Sequence, residues 1–590
     1  MIDYASALSS NQMPRLILAA GMLFTAPALM GQSVQHLGAT HPGGMPGVPV
    51  MGGIEQTTNG VQVTWDGPSG YYQLYQKSNS LTAPWVALGQ ATNLVRNAVI
   101  TTLFSNAFFR VAGPAPKYAG SKVCLTCHLN ICQFETNTLH ASAFIRPAFV
   151  AAGGQTNSSC LPCHTVGYGL PTGFSFTKRN GVFSYTTNLA GVQCENCHGP
   201  AANHAAATDD PTAVPRVELA ATVCGGCHSA SHTTFTNAPT FEEWSSSGHA
   251  AVVPDALSVM RLSLNNISSC GRCHSGSVRL ALINGQNPIA LTNDLAVAIT
   301  CAVCHDPHQT NANPAQLRNP VFSTNYFSLA TSDVFTNKYN ANTNINLCAQ
   351  CHNIRGDAWM TITTNGLVTT TNYLTARAPH RSPQYNFLLG SAGELWNGVT
   401  DSPAIFNPGT HAGLPNSARF SVSGTFYLTN QCVSCHMQND TAPATAHGHT
   451  FAVVSHDLCM NCHLSDPGQS APGVSDNVSL VIDELNQWAA TQAPAALQTN
   501  GVVAWEYTTP GGLIWQTNQT GQVTGWTLAD QVNFSGPDAA GQALIPDNIK
   551  KARFNLYLVV NDGSLGAHNW IFALNLLFAA QSEVQQELSR

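Results

Sequence analysis

The sequence predicts a mostly α-helical, irregular, loop-rich fold with a small N-terminal β-sandwich and a C-terminal helical segment. Three observations predict it. Nine copies of C-x-x-C-H crowd into residues 124–463, about 38 residues per copy, too few for a conventional core around each. Residues 52–114 alternate in short runs divided by turn residues. Residues 464–590 carry amphipathic and apolar-periodic stretches. Of 590 residues 44% are hydrophobic, and the aromatic, Pro and Gly contents exclude a disordered chain, a collagen-like rod and a coiled coil. With 23 Lys+Arg against 30 Asp+Glu the formal net charge is −7, so the basic footprint of a nucleic-acid binder is absent.

Taken in chain order, residues 1–31 read as a signal peptide. LILAAGMLFTAPALM (16–30) follows Arg15 and is too short to span a bilayer permanently. No other segment has roughly 18 consecutive apolar residues, so no transmembrane segment is expected. Residues 32–51, rich in Gly, Pro and Met, read as a flexible arm. In 52–114 the runs VQVTWDG, YYQLYQKSN, PWVALGQ, RNAVITT and AFFRVAG predict the β-sandwich. Its pattern resembles the fibronectin type III-like modules of secreted bacterial proteins, which implies a spacer or attachment module.

Residues 115–463 hold the repeated motif. Its members are Cys124, Cys127 and His128; Cys160, Cys163 and His164; Cys194, Cys197 and His198; Cys224, Cys227 and His228; Cys270, Cys273 and His274; Cys301, Cys304 and His305; Cys348, Cys351 and His352; Cys432, Cys435 and His436; and Cys459, Cys462 and His463. They use 18 of the 19 cysteines, and a shuffled chain of this composition would hold about 0.02 such motifs. Two thiols three residues apart reach the two vinyl groups of one haem, and the next residue, His, binds the iron. Zinc would need paired C-x-x-C units but no His after each, and disulfides would not explain the His at all. Nine covalently attached haem c groups are therefore expected, in a loop-rich multihaem cytochrome fold whose core is largely porphyrin. The leftover Cys132 reads as a buried small hydrophobe. Gaps between motif starts of 36, 34, 30, 46, 31, 47, 84 and 27 exclude a solenoid of identical repeats.

Residues 464–590 predict a helical segment packing on haems. NVSLVIDELNQW (477–488) is amphipathic, Pro546-Asp547 opens a run from Ile549 to Val560, and a third helix starts near His568 and runs through WIFALNLLFAA.

The second axial ligand decides the chemistry: a haem with two His passes electrons, whereas one lacking its distal ligand can bind substrate. Thirteen of the 22 His lie outside the motifs, against nine needed if every iron has two. TFEEWSSSGHA places Thr240 and Glu243 as a capping box with His249 at the helix end, and TNTLHASAF puts His140 on a similar short helix. His204 and His308 follow their own motifs too closely to curl beneath the same ring, so each is expected to serve a neighbouring haem.

The stretches YAGSKVCLTCH, LHASAF, SCLPCHTVGYG and GVQCENCHGPAANH resemble the multihaem cytochromes related to the tetrahaem electron carriers of ammonia oxidisers. TFEEWSSSGHA, CAVCHDPH, APHRSPQ, CVSCHM and GHTF extend the likeness. SLGAHNW is similar to the helical end of the hydroxylamine oxidoreductase and ammonia-forming nitrite reductase group. The resemblance covers residues 118–590 at the motifs and not between them. It implies His140, His204, His232, His249, His308, His380, His411, His449 and His568 as distal ligands. His447 and His456 are alternatives to His232, and Met437 and Met460 are further candidate axial residues.

The preferred function is an electron-transfer wire, periplasmic or extracellular, between redox partner proteins or an extracellular acceptor, with no catalytic residue. The alternative is a multihaem oxidoreductase acting on nitrite, hydroxylamine or tetrathionate at one open haem. The C-x-x-C-K motif typical of the nitrite reductases is absent from the sequence. His36 and His41 on the arm raise a homo-oligomer or filament in which a neighbour donates a ligand; two solvated histidines is the preferred reading. Ionised propionates would take the holoprotein to about −16 oxidised and about −25 reduced.

Overall fold

The computed structural model describes residues 50–57, 60–66, 71–78, 86–92, 97–100, 107–112, 117–210, 213–215, 219–229, 240–288, 295–308, 314–318, 347–354, 360–362, 368–396, 401–403, 411, 419–421, 425–427, 431–437, 448–453, 456, 459, 472–509, 511–520, 522–528 and 535–590. The proposed signal peptide and nearly all of the arm lie outside them, as do His36, His41, His232, His447, Met460, Cys462 and His463. The chain divides into two compact units, one of Met1–Ala251 with Val297–Gln316, the other of Val252–Ala296 with Leu317–Arg590.

In the first unit, strands β1 (Val50–Thr57), β2 (Gly60–Asp66), β3 (Tyr71–Ser78), β4 (Val86–Thr92), β5 (Asn97–Ile100) and β6 (Ala107–Ala112) form two antiparallel three-stranded sheets, ordered β1-β2-β5 and β4-β3-β6. Val63 and Trp65 of β2 share one buried cluster with Leu74 of β3 and Val111 of β6. Alternation along β2 puts Val63 and Trp65 on one face, as the period of two requires.

The motif-bearing part of this unit also holds a side-chain core of its own. Phe144, Leu161, Val166, Phe174 and Leu189 make a buried core beneath the second motif, edged by Tyr118, Phe149 and Tyr185. The hairpin Phe176–Arg179 with Val182–Tyr185 supplies part of it. Asn180 and Gly181 take φ of 51° and 82°, the left-handed pair that a two-residue turn needs to match strand twist. His140 lies in successive turns rather than on a helix. Thr138 Oγ1 accepts from Ala141 N at 3.1 Å, a local bond that competes with helix propagation. The helix Thr240–Ser246 stops short of His249, which sits on a separate 3-10 turn, Gly248–Ala250.

The second unit has a conventional core. The tail forms α1 (Pro472–Thr491), α2 (Asp547–Asp562) and α3 (Trp570–Leu588), each enclosing its sequence-predicted run. Val478, Ile482 and Leu485 of α1, Leu556 and Val559 of α2 and Phe572, Leu576 and Leu577 of α3 are buried together. A hairpin of Leu513–Thr517 with Val523–Leu528 adds Leu513 and Trp515.

A polar cluster is sealed inside this core. Arg553 is fully buried and donates through Nη1 to the Trp505 and Glu506 carbonyls at 2.8 and 3.1 Å, and through Nη2 to Gln542 Oε1 at 2.8 Å. Its guanidinium stacks 4.0 Å over the Tyr507 ring. The Glu506 carboxylate accepts from Tyr557 Oη and from Tyr507 N, both at 2.6 Å. Burial pushes the Glu506 carboxyl up to about 7, against the lowering effect of these bonds and of Arg553. A carboxyl whose folded value exceeds its unfolded one holds its proton more tightly in the folded state. Its stabilising contribution is therefore complete below the ordinary value of 4.5 and is lost as pH rises toward about 7. The thermal midpoint is expected to fall across that window, and Glu506→Gln is expected to flatten the fall.

Candidate haem-attachment sites

Eight of the nine motifs lie in described backbone through their His, and each is built on a helical turn. The third, fifth and eighth lie inside the helices Cys194–His198, Leu264–His274 and Gln431–His436. In the first, second, fourth, sixth and seventh, the His backbone N donates to the carbonyl of the first Cys: His128 to Cys124 at 2.9 Å, His164 to Cys160 at 3.2, His228 to Cys224 at 2.8, His305 to Cys301 at 2.8 and His352 to Cys348 at 2.9. Residues three and four apart on a helical turn share one face. One turn therefore presents both thiols and the imidazole on the same side.

Five motif imidazoles each meet a second imidazole. Ring centres are 6.4 Å apart for His128 and His204, 6.0 for His140 and His228, 5.9 for His198 and His308, 6.0 for His274 and His380, and 6.1 for His436 and His568. Two imidazoles on opposite faces of one iron stand about 6 Å apart, from about 2 Å per metal–nitrogen bond and about 1 Å from nitrogen to ring centre. The pairs fit that spacing. His204 faces His128 rather than His198 of its own motif, and His308 faces His198 rather than His305.

Several rings are held by Nδ1. His164, His305 and His436 reach the carbonyls of Ala143, Ala315 and Phe451 at 3.2, 2.7 and 3.1 Å. Among distal candidates, His380 Nδ1 meets Ser382 Oγ at 2.8 Å, His411 the Ala567 carbonyl at 2.5 and His568 the Asp562 carboxylate at 2.6. A bond at Nδ1 sets the tautomer and leaves Nε2 for a metal. Burial holds His140 and His436 below the ordinary range and so in the neutral, ligating form.

The His249 carbonyl accepts from Ile299 N at 3.1 Å, close before the sixth motif. His449 packs edge-on to Phe451 at 5.8 Å. The His456 carbonyl accepts from Cys459 N at 2.9 Å, at the start of the ninth motif. Met437 belongs to the turn closing the eighth motif, with its N donating to the Val433 carbonyl at 3.2 Å. Cys132 is buried, 1% exposed, as a small hydrophobe would be.

Motifs also touch one another. The side chains of Cys124 and Cys194 lie close together, as do those of Cys224 and Cys301, Cys273 and Cys351, and Cys348 and Cys432. Glu195, the second residue of the third motif, had no signal in the sequence and fastens one such contact. Its buried carboxylate accepts from Ala119 N at 3.0 and 3.1 Å, Gly120 N at 2.7 and Ala201 N at 2.7. Gln193 Oε1 adds a bond from Ser121 N at 2.7 Å. The first and third motifs are thereby clamped together. Glu195→Ala would strip three backbone N–H groups of their acceptor, about 1–3 kcal/mol for each that stays buried. Lower thermal stability and faster proteolysis between the first and third motifs are expected; an unchanged melt would show the clamp to be dispensable.

Comparison with known proteins agrees with this chemistry. Residues 123–199 match the family model described as cytochrome c554 and c-prime. The chain is 28% identical over 243 residues to the C-type polyheme cytochrome OmcB of Geobacter sulfurreducens, covering 38% of this chain and 28% of that protein. It is 29% identical over 106 residues to cytochrome c-554 of Nitrosomonas europaea, covering 16% of this chain and 42% of that one. The matches thus span well under two thirds of these relatives' lengths. Among solved structures, an undecaheme cytochrome from the S-layer of Carboxydothermus ferrireducens aligns with TM-score 0.45 at 18% identity, covering 80% of this chain and 70% of that one. The outer cell wall cytochrome OcwA aligns with TM-score 0.40 at 17% identity, covering 79% of this chain and all of that one.

Proposed function

We propose that this chain, a multihaem c-type cytochrome, is an electron-transfer wire carrying nine haem c groups with two histidines on each iron. The observation that carries the reading is the set of five imidazole pairs spaced 5.9–6.4 Å apart. Each pair would close an iron on both faces, and a closed iron passes electrons rather than binding substrate. On this reading His204, His308, His140, His380 and His568 serve the first, third, fourth, fifth and eighth haems. His232, His249, His411 and His449 complete the distal set. The protein residues orient the axial imidazoles, exclude water and set potentials; the haem supplies the electron chemistry.

The haem neighbours follow from the chain's own ties. Within the first unit, His204 links the first and third haems, His308 the third and sixth, and His140 the first and fourth. The thiol contacts add a link between the fourth and sixth. Within the second unit, His380 and the Cys273–Cys351 contact link the fifth and seventh, and Cys348–Cys432 links the seventh and eighth. Electrons would pass along these links one at a time. Membership of the broader ammonia-oxidiser carrier and hydroxylamine oxidoreductase superfamily, export to the periplasm or beyond, and an N-terminal β-sandwich acting as a spacer belong to the same proposal. Among the described residues, no helix is long and apolar enough to cross a membrane.

Electron paramagnetic resonance of the oxidised protein tests the reading. Uniformly low-spin haems are expected. A stoichiometric high-spin signal altered by nitrite or hydroxylamine would replace the wire with an oxidoreductase. A finer arm tests the cross-ligation: His308→Ala should convert one haem to high spin, and should convert none further in a Cys194→Ser, Cys197→Ser background that lacks the third haem.

A further inference from the structure

We infer that Asp562 is a positioning residue that lowers the reduction potential of the eighth haem through His568, an inference that rests on the axial pairing proposed above. His568 Nδ1 lies 2.6 Å from Asp562 Oδ1, and the Asp562 side chain is 0% exposed. By contrast, His164, His305, His436 and His411 meet neutral backbone carbonyls, and His380 meets a hydroxyl. His308 has Asp306 nearby, but at 3.9 Å.

The carboxylate is itself held. Ser564 Oγ hydrogen-bonds Asp562 Oδ2, and the same hydroxyl accepts from His568 N at 3.1 Å. Asp562 is the last residue of α2, closed by Gly563 at φ 72°. The connection to α3 then turns through Leu565 and Gly566 at φ 48° and 94°. A non-glycine residue in the left-handed region persists only where its surroundings over-determine it. The loop thus fixes the His568 ring against the carboxylate, with the partial negative charge of the helix C-terminus on the same side.

A carboxylate accepting from Nδ1–H pulls that proton toward itself and enriches Nε2 in electron density. A more basic axial nitrogen favours ferric over ferrous iron, so the haem it binds gives up its electron more readily. No bond is broken and no proton leaves the pair. The eighth haem would then be a low-potential step in the second unit.

Spectroelectrochemical titration of the holoprotein tests this with Asp562→Asn, which can keep a hydrogen-bond acceptor at the same place and loses the charge. Expected is an unchanged low-spin haem count with one haem's share of the titration moved upward in potential, and return toward the wild-type curve in Asp562→Glu. An Asp562→Asn titration that superimposes on wild type overturns the inference. Should the variant fail to fold, near-infrared magnetic circular dichroism of the wild-type protein decides. One haem's charge-transfer band displaced to higher energy supports the inference; nine bands at the position of ordinary paired imidazoles overturn it. His568→Ala separates the two levels. Loss of one low-spin haem there with an unmoved Asp562→Asn curve overturns the tuning alone, whereas an unchanged low-spin count overturns the pairing and the tuning together.

Discussion

On the proposed ligation, two imidazoles from distant parts of the chain come to about 6 Å across one iron, and most of the architecture follows from that requirement. The C-x-x-C-H turn places one imidazole locally. The other has to be delivered by a separate stretch, as His568 is delivered to His436 from the loop between α2 and α3. On the proposed reading each delivery closes a loop by metal coordination, and the free energy of ligation becomes free energy of folding. Ties of this kind do what disulfides do in small secreted domains, which suits a motif region with many short helices and turns.

The two units answer the requirement differently. In the first, motif segments are fastened directly to one another, by Glu195 and Gln193 holding the turn before Cys124 and by the contact between Cys124 and Cys194. Its hydrophobic clusters are small and local. In the second, α1, α2 and α3 form a core that needs no porphyrin, sealed around Arg553 and Glu506. Removing one hydrogen-bonding group from such a sealed cluster leaves its partner buried and unsatisfied, at a cost of about 1–3 kcal/mol. That rigid frame can hold a short, strained loop and so fix one imidazole against one carboxylate. Precision at the His568 end is therefore underwritten by ordinary packing.

What the sequence made legible was whatever depends on local spacing. The motif cysteines and histidines follow from covalent chemistry, and α1, α2 and α3 follow from the periodicity of NVSLVIDELNQW, the Ile549–Val560 run and WIFALNLLFAA. The placement of His204 and His308 beside the imidazoles of other motifs was also legible, since neither tether is long enough to return beneath its own ring. Helix reading failed at His140, where Thr138 bonds the backbone locally, and at His249, where the helix ends at Ser246. The aromatic core beneath the second motif escaped because its members come from four separate segments. Glu195 and Asp562 escaped for a related reason. A carboxylate that accepts from backbone N–H groups or from a ligand ring has no periodicity, and its importance lies wholly in tertiary contact.

The most direct measurement is the iron coordination of the haem-loaded protein, read from an experimental density map. The proposed ligation places one iron each between His128 and His204, His228 and His140, His198 and His308, His274 and His380, and His436 and His568. It would be contradicted by His204 or His308 bound to the haem of its own motif, or by any of these irons carrying water in place of the second imidazole.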